Sequence, residues 1–165
     1  MFRHRAIIRW ILRCVPLIAI LAAAPAYAQQ SLFENVAGSW SGGGMMKPSD
    51  GPRERVRCKA DYTPKNNGQS VKLNLRCASD AYKMELSANI DQKGTSLSGN
   101  WFESQYRQGG SISGKNVNGL IQARIEGETM AALLSLQTKG DRQTVAMESP
   151  GSWVSQVSVE LVRDK

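Results

Sequence analysis

The chain has 165 residues, with 21 Lys or Arg against 14 Asp or Glu, a formal charge of +7. It contains one histidine, His4, and three cysteines. This length suits one domain with a real core, and the scarcity of histidine and cysteine excludes most sites built on imidazole or thiolate groups.

The first 28 residues predict a cleaved export signal. Four arginines lie between residues 3 and 13, an apolar run covers residues 15–24, and Ala26-Tyr27-Ala28 follows. This order is typical of a secretory signal peptide. The apolar run is too short for the roughly 20 residues of a membrane-spanning helix. We therefore expect cleavage after Ala28 and a periplasmic or secreted protein whose mature chain has no transmembrane segment.

Cleavage after Ala28 would change the charge and the histidine and cysteine content of the protein. All 14 acidic residues but only 17 of the 21 basic ones follow residue 28, so the formal charge falls to +3. His4 and Cys14 leave with the signal, and Cys58 and Cys77 remain. We therefore expect no histidine-dependent catalysis, no cofactor and no metal site. The compartment and the lack of interleaved aromatic residues disfavour a nucleic-acid partner.

Residues 29–37 form an N-terminal segment ahead of a domain predicted at residues 38–165. Ser31 and Glu34 have the spacing of a capping box, which predicts a short helical turn over residues 31–36. Residues 38–46 then read as a first strand that its glycines bend, and residues 48–52 as a loop.

Residues 54–77 predict a β-hairpin. Both halves alternate apolar and polar residues, the period of a half-buried strand, around a turn-forming Thr-Pro-Lys-Asn-Asn-Gly run. Cys58 and Cys77 fall on the buried face and can pair if Tyr62 lies opposite Leu73. We predict a structural disulfide that closes a loop of about 20 residues and contributes roughly 3 kcal/mol.

The rest of the chain predicts further short strands separated by turn residues. They cover residues 82–90, 96–106, 111–115, 120–125, 130–136, 143–149 and 154–163. Eight to ten strands at this spacing predict an all-β fold, a single antiparallel up-and-down barrel or a sandwich. Because one face of several strands is heavily charged, we expect that face outside and an apolar interior, the reverse of an outer-membrane barrel with a polar lumen.

One side of the hairpin presents a candidate anion-binding surface, which we call the basic face. Its cations project together from the polar side of the two strands and suit an acidic glycan, a lipid headgroup or an acidic protein. An ordinary solvated sheet face, partly neutralised by Glu54 and Asp61, is the alternative. The basic face consists of Arg53, Arg55, Arg57, Lys59 and Arg76.

A candidate pocket involves Trp40, Trp101 and Glu103. Gly38-Ser39-Trp40 and Gly99-Asn100-Trp101 each open a predicted strand, where glycine lets the strand bend and tryptophan can plug a barrel end. Glu103 shares the face of Trp101, so it is either partly buried with a partner or solvated at the barrel rim.

The signal peptide, the two Gly-x-Trp segments and the Cys77-Ala-Ser-Asp80 hairpin end together resemble a group of uncharacterised small periplasmic β-barrel proteins of Gram-negative bacteria. This resemblance spans nearly all of the mature chain and implies fold and compartment only. More distantly, Gly38-Ser39-Trp40 is similar to the first strand of lipocalin-like and avidin-like barrels and of barrel-type envelope protease inhibitors.

Three functions fit these observations. The first is a non-enzymatic binding protein for a small or anionic envelope ligand, held at the barrel mouth near Trp40 and Trp101 or on the basic face. The second is an inhibitor of an envelope or host hydrolase, a protease or lysozyme, which acts through residues 29–37 or a loop. The third is a carboxylate-based hydrolase that uses Glu103. A binding barrel predicts an open apolar cavity of roughly 300 Å³ or more, whereas an inhibitor can have a filled core.

Overall fold

The computed structural model describes residues 31–165, so the predicted signal peptide, with His4 and Cys14, lies outside the described residues. The described chain is a short helix followed by one closed barrel of ten antiparallel strands. The elements are α1 (Leu32–Val36), β1 (Gly38–Pro48), β2 (Glu54–Lys65), β3 (Ser70–Ala78), β4 (Lys83–Lys93), β5 (Ser96–Glu103), β6 (Gln108–Val117), β7 (Leu120–Gly127), β8 (Ala131–Lys139), β9 (Arg142–Glu148) and β10 (Val154–Arg163).

The topology is the predicted up-and-down order. Each strand pairs with its neighbours in sequence, and β1 pairs with β10 to close the barrel, so the fold is a barrel and not a sandwich. Several predicted strand ends differ from the structure: β4, β6 and β8 extend beyond the predicted ranges 82–90, 111–115 and 130–136, and the predicted strand 96–106 is three residues too long. β5 stops at Glu103 because residues 104–107 turn the chain, with Arg107 in the left-handed region at φ 54°.

The hairpin has the predicted register. Cys58 lies opposite Cys77, Tyr62 opposite Leu73, and the strands end at the Lys65–Ser70 pair. The two cysteines are bonded, with their Sγ atoms 2.10 Å apart. The disulfide therefore joins two strands that the backbone already pairs, and it fixes which faces of those strands point inward.

One end of the barrel is closed by residues 31–37, which we call the plug. Phe33 and Val36 are buried there against Val71 and Leu97. Trp40 is fully buried, and its indole N–H donates to the carbonyl of Val36 at 2.9 Å. The capping-box prediction for Ser31 is wrong, because its side chain makes no cap hydrogen bond and donates instead to the carbonyl of Gly68.

Arg163, near the end of β10, fastens the plug to the barrel. Its guanidinium donates to the carbonyls of Ala37 and, at 2.8 Å, of Asn35. The same group lies 4.2 Å from the ring centroid of Trp40. Two carbonyls with no strand partner are thereby satisfied at a point where the helix joins β1.

The glycines of β1 let the first and last strands approach closely. A Cβ at Gly44 would collide with the carbonyl oxygen of Ser158 on β10, and one at Gly42 with that of Glu160. These two glycines face inward. The segment was predicted to bend because of its glycines, and the structure shows that they are needed there because a side chain would collide with the β10 backbone. Closure of the barrel between β1 and β10 depends on them.

The interior is apolar and the charged residues lie outside, as the alternation predicts. Inward positions of β2 carry Val56, Cys58 and Ala60, all buried, while Arg55, Arg57 and Lys59 between them are exposed. Within residues 31–165, no helix is long and apolar enough to cross a membrane.

Candidate functional site: the barrel cavity

The barrel encloses an apolar cavity of about 270 Å³. It runs from Phe33 and Val36 at the plug to Ser79 and Trp153 at the opposite end, which we call the mouth. The mouth is formed by the loops at residues 49–53, 79–82, 104–107, 128–130 and 149–153. The volume is slightly below the expected 300 Å³, and well above a cavity of about 150 Å³ that holds benzene.

Methionines line the mouth half of the cavity. Met46 and Met147 lie near the mouth ends of β1 and β9, Met84 near the start of β4, and Met130 in the loop before β8. All four contribute to the cavity wall, whereas Met45 points outward and is exposed. Flexible thioether side chains fill irregular space and adapt to different apolar ligands. The entrance of the cavity is therefore its most adaptable part.

Three aromatic side chains, which we call the aromatic bridge, extend over the mouth. Trp153 packs against Tyr82 with ring centroids 5.1 Å apart and against Tyr106 at 5.2 Å, both pairs in tilted geometry. Around the barrel, four strands separate the loop of Trp153 from the loop of Tyr82 in one direction, and four separate it from the loop of Tyr106 in the other. Trp153 therefore reaches across the mouth, and all three rings line the cavity. A ligand that enters from this end must pass them.

The plug end of the cavity contains one chain of hydrogen-bonded polar side chains, of which Gln143 is fully buried and Tyr62 and Thr138 are half-buried. The hydroxyl of Tyr62 donates to Oε1 of Gln143 at 3.0 Å, and Nε2 of Gln143 donates to Thr138 at 3.1 Å. Burial raises the pKa of the Tyr62 phenol far above its ordinary value, against the smaller opposing effect of the Gln143 bond. The phenol therefore stays neutral, and its bond to Gln143 leaves the cavity wall apolar.

Glu103 is buried at the mouth, and backbone groups satisfy its carboxylate. Oε1 accepts the N–H of Glu85 at 2.8 Å, and Oε2 accepts the N–H of Tyr106 at 2.6 Å. Of the two alternatives, the structure shows burial with partners, and these partners are backbone amides. Glu103 fixes the turn that places Tyr106 in the aromatic bridge.

The structure separates the two tryptophans that the sequence placed together. Trp101 lines the cavity in its mouth half, and its indole N–H donates to the carbonyl of Glu126 at 3.1 Å. Trp40 is not at the mouth: it lies at the plug end and outside the cavity wall. Trp40 is the third residue of β1, whereas Trp101 is the sixth of β5, and both strands run from the plug end to the mouth.

The basic face is on the outside of the barrel, away from the cavity. Lys59 lies opposite Arg76 across the β2–β3 pair, and Arg76 lies opposite Glu85 on β4. Arg53, in the loop before β2, donates to Gln156 at 3.1 Å. All five cations are exposed, so the structure brings them together as one surface but not with Trp101 and Glu103.

Sequence reasoning missed the methionines and the aromatic bridge as parts of one site. The sequence does contain a signal for the methionines, because all five that follow residue 40 fall at or next to strand ends that an up-and-down barrel places at one end, and alternation points Met45 outward. No comparable signal exists for the bridge. Its rings come from three loops, and loop side chains have no alternating period.

Comparison with solved structures finds an S-type phycobiliprotein lyase from Guillardia theta, a lipocalin-like barrel, with a TM-score of 0.58. The two share 16% sequence identity over 81% of this chain and 90% of that chain. At this identity the likeness shows a common fold alone. No protein-family model matches the sequence, and no curated protein matches it. The resemblance to lipocalin-like barrels is therefore supported as a fold, and the resemblance to the periplasmic group stays a prediction.

Proposed function

We propose that this protein is a non-enzymatic exported binding protein that holds a small apolar molecule inside its barrel. The observation that carries the proposal is the continuous apolar cavity between plug and mouth. The shared barrel fold with the lyase is compatible with ligand binding but does not identify a ligand. Export rests on the predicted signal peptide, which lies outside the described residues.

The chemistry of the wall selects the ligand class. Aliphatic, methionine and aromatic side chains form almost the whole surface, and apart from the Tyr62 hydroxyl the few polar groups among them are at the mouth, including Ser79, Lys83 and Gln108. Each methylene group moved from water into such a site contributes about 0.8 kcal/mol. A hydrocarbon chain or compact ring compound gains from this wall, and any polar end of it is best solvated at the mouth.

A polar reaction has little support in this cavity. Both Glu103 oxygens accept backbone N–H bonds, which fixes the carboxylate in a structural role at the turn. Tyr62 is a neutral phenol bonded to Gln143. Neither group is arranged with a second acid or base as hydrolysis by paired carboxylates requires.

An inhibitory function through residues 29–37 also has less support than binding. Phe33 and Val36 are buried in the barrel, and Arg163 donates to the carbonyls of Asn35 and Ala37 in the same segment. A segment used in this way is not free to enter the active site of a protease or lysozyme. Inhibition through a mouth loop remains a second candidate, because the rings of Tyr106 and Trp153 are partly exposed there.

A cavity-filling substitution tests the proposal. Ala123 is buried on the inner face of β7 and lines the cavity, so Ala123→Phe places a ring in the ligand space. We expect it to weaken binding of the apolar fluorophore N-phenyl-1-naphthylamine by at least about tenfold, because the ring removes part of the apolar contact area.

The matched control is Ala146→Phe, which adds the same ring on the exposed outer face of β9. It should bind the fluorophore as the unmodified protein does. Circular dichroism should show that both variants are folded. Equal fluorophore binding by the two folded variants, or no binding by the unmodified protein, would overturn the proposal.

A further inference from the structure

We infer that the mouth of the barrel docks on an anionic lipid bilayer, with the β1–β4 side of the mouth against the membrane. The inference goes beyond the proposed function, since it rests on outward-facing residues and on the exposed rings rather than on the cavity wall. It assigns the basic face a partner and gives an apolar ligand a direct path between membrane and barrel.

The positive charge of the described chain is concentrated on this side. Residues 31–165 carry 17 basic and 14 acidic residues, a net charge of +3. Seven of those cations and four of the anions fall in residues 47–59 and 76–85, which form the mouth half of β1–β4 and their loops. That sector therefore has the same net charge of +3, and the remainder of the described chain is neutral.

The cations of the sector form rows that lead up to the mouth. Arg57, Ala78 and Lys83 are cross-strand neighbours at its edge, and Lys59 and Arg76 lie side by side in the next row. The ion pairs recorded among the described residues are Arg124–Glu126 and Arg163–Asp141, which lie elsewhere. The acidic residues within the two ranges are Asp50, Glu54, Asp80 and Glu85, and outside them the exposed Glu160 of β10 lies opposite Gly43, the strand neighbour of Arg57. Glu85 stands opposite Arg76, Asp50 and Asp80 lie in the loops, and Glu54 is the first residue of β2 on the inward side of that strand, so the outward-facing cations remain in excess.

Exposed aromatic residues adjoin the cations. Tyr82 of the aromatic bridge precedes Lys83 in sequence, and Trp153, which it contacts, is 38% exposed. Phe102 is 49% exposed on the outer face of β5, next to the β4 wall. Tryptophan and tyrosine favour the membrane–water interface, and basic residues beside them are attracted to anionic headgroups.

A bilayer fits this combination better than an acidic protein or glycan. An acidic soluble partner accounts for the arginines but not for aromatic rings at the entrance of an apolar cavity. The opposite side of the mouth carries Glu126, Glu128 and Glu148, which anionic lipid repels. We therefore expect a tilted approach, in which the β1–β4 side contacts headgroups and the β7–β9 side stays in water.

Vesicle co-sedimentation of the chain from Gln29 onward, which contains the whole barrel and its plug, tests the inference. The protein should sediment with phosphatidylcholine vesicles that contain phosphatidylglycerol and not with phosphatidylcholine alone. Arg55→Gln/Arg57→Gln should lower the partition coefficient about 25-fold, since each basic residue near the surface contributes about fivefold. Lys115→Gln/Lys139→Gln removes the same charge from exposed positions outside the sector and should change it little.

Phe102 separates docking from ligand binding, because it lies outside the cavity wall. Phe102→Ser should lower partition about fivefold or more through lost apolar contact, with fluorophore binding in solution unchanged. Leu133→Ser is the matched control, since Leu133 is 58% exposed on β8, away from the docking side.

Three results would overturn the inference: no sedimentation with anionic vesicles, equal loss in both arginine and lysine variants, or retention on soluble polyglutamate without vesicle binding. The last result would assign the basic face to an acidic protein. If the unmodified protein docks on vesicles but does not bind the fluorophore, the proposed function as an apolar-ligand carrier is wrong, and the docking inference is unaffected.

Discussion

Arg163 joins three parts of the molecule at one end of the barrel. Its guanidinium bonds to two plug carbonyls, lies over the ring of Trp40 and pairs with Asp141 at 3.0 Å. The ion pair with Asp141 is largely exposed and contributes little. The carbonyl bonds are charge-assisted and partly shielded, so they contribute most of the stabilisation.

Arg163→Ala should therefore lower the free energy of unfolding by about 2–4 kcal/mol, through the lost carbonyl bonds and ring contact. Urea unfolding monitored by tryptophan fluorescence measures this change. Asp141→Asn serves as the control and should cost less than about 1 kcal/mol, because it removes the exposed ion pair alone. Similar losses in both variants would show that the plug does not depend on Arg163.

Tyr62 gives the molecule a specific alkaline sensitivity. Burial raises its pKa in the folded protein, so the unfolded chain loses this proton first as the pH rises above the ordinary tyrosine pKa of about 10. The stabilisation is fully present below that pH and declines above it. Tyr62 should contribute a decline of about 1.4 kcal/mol per pH unit.

Urea unfolding at several pH values between neutral and alkaline measures this decline. Tyr62→Phe should lower stability at neutral pH through the lost Gln143 bond, and it should also show a shallower decline above pH 10 than the unmodified protein. Parallel declines in the two proteins would contradict the assignment of a buried, protonated phenol.

At the scale of elements, the β2–β3 hairpin combines the disulfide, part of the cavity wall and the basic face. Cys58 and Cys77 both line the cavity, while Arg57, Lys59 and Arg76 lie on the other side of the same two strands. One strand pair therefore serves the interior and the surface, and its register decides which residues reach each.

Cys58→Ala/Cys77→Ala should destabilise the folded protein by about 2–4 kcal/mol, because the bond restricts a loop of some 20 residues in the unfolded chain. Backbone pairing of the hairpin is continuous on both sides of the bond, so the barrel should still form. Chemical denaturation with the reduced unmodified protein as control measures the loss. A variant as stable as the oxidised protein would contradict the prediction.

Sequence alternation was sufficient for the strands and the hairpin register, because side-chain direction has a fixed period of two. It did not give positions along the barrel axis. Alternation shows that Trp40 and Trp101 both point inward. Trp40 is close to the start of β1 and Trp101 is far from the start of β5, so they lie at different heights along the barrel axis. The aromatic bridge depends on how far loops reach across the mouth, which no local pattern encodes.

At the scale of the whole molecule, the two barrel ends differ in construction. The plug end is closed by buried apolar side chains and by hydrogen bonds from Trp40 and Arg163. The mouth is covered by three aromatic rings in contact above a wall rich in methionine. Aromatic pairs contribute about 0.5–1.5 kcal/mol each, far less than a packed core, so the mouth is the expected entrance.

Native mass spectrometry of gently purified protein shows directly whether the cavity holds an apolar molecule. We expect a one-to-one complex with an apolar compound, present in the unmodified protein and in Ala146→Phe and lost in Ala123→Phe. An empty barrel after exposure to a total lipid extract, or equal occupancy in both phenylalanine variants, would contradict it.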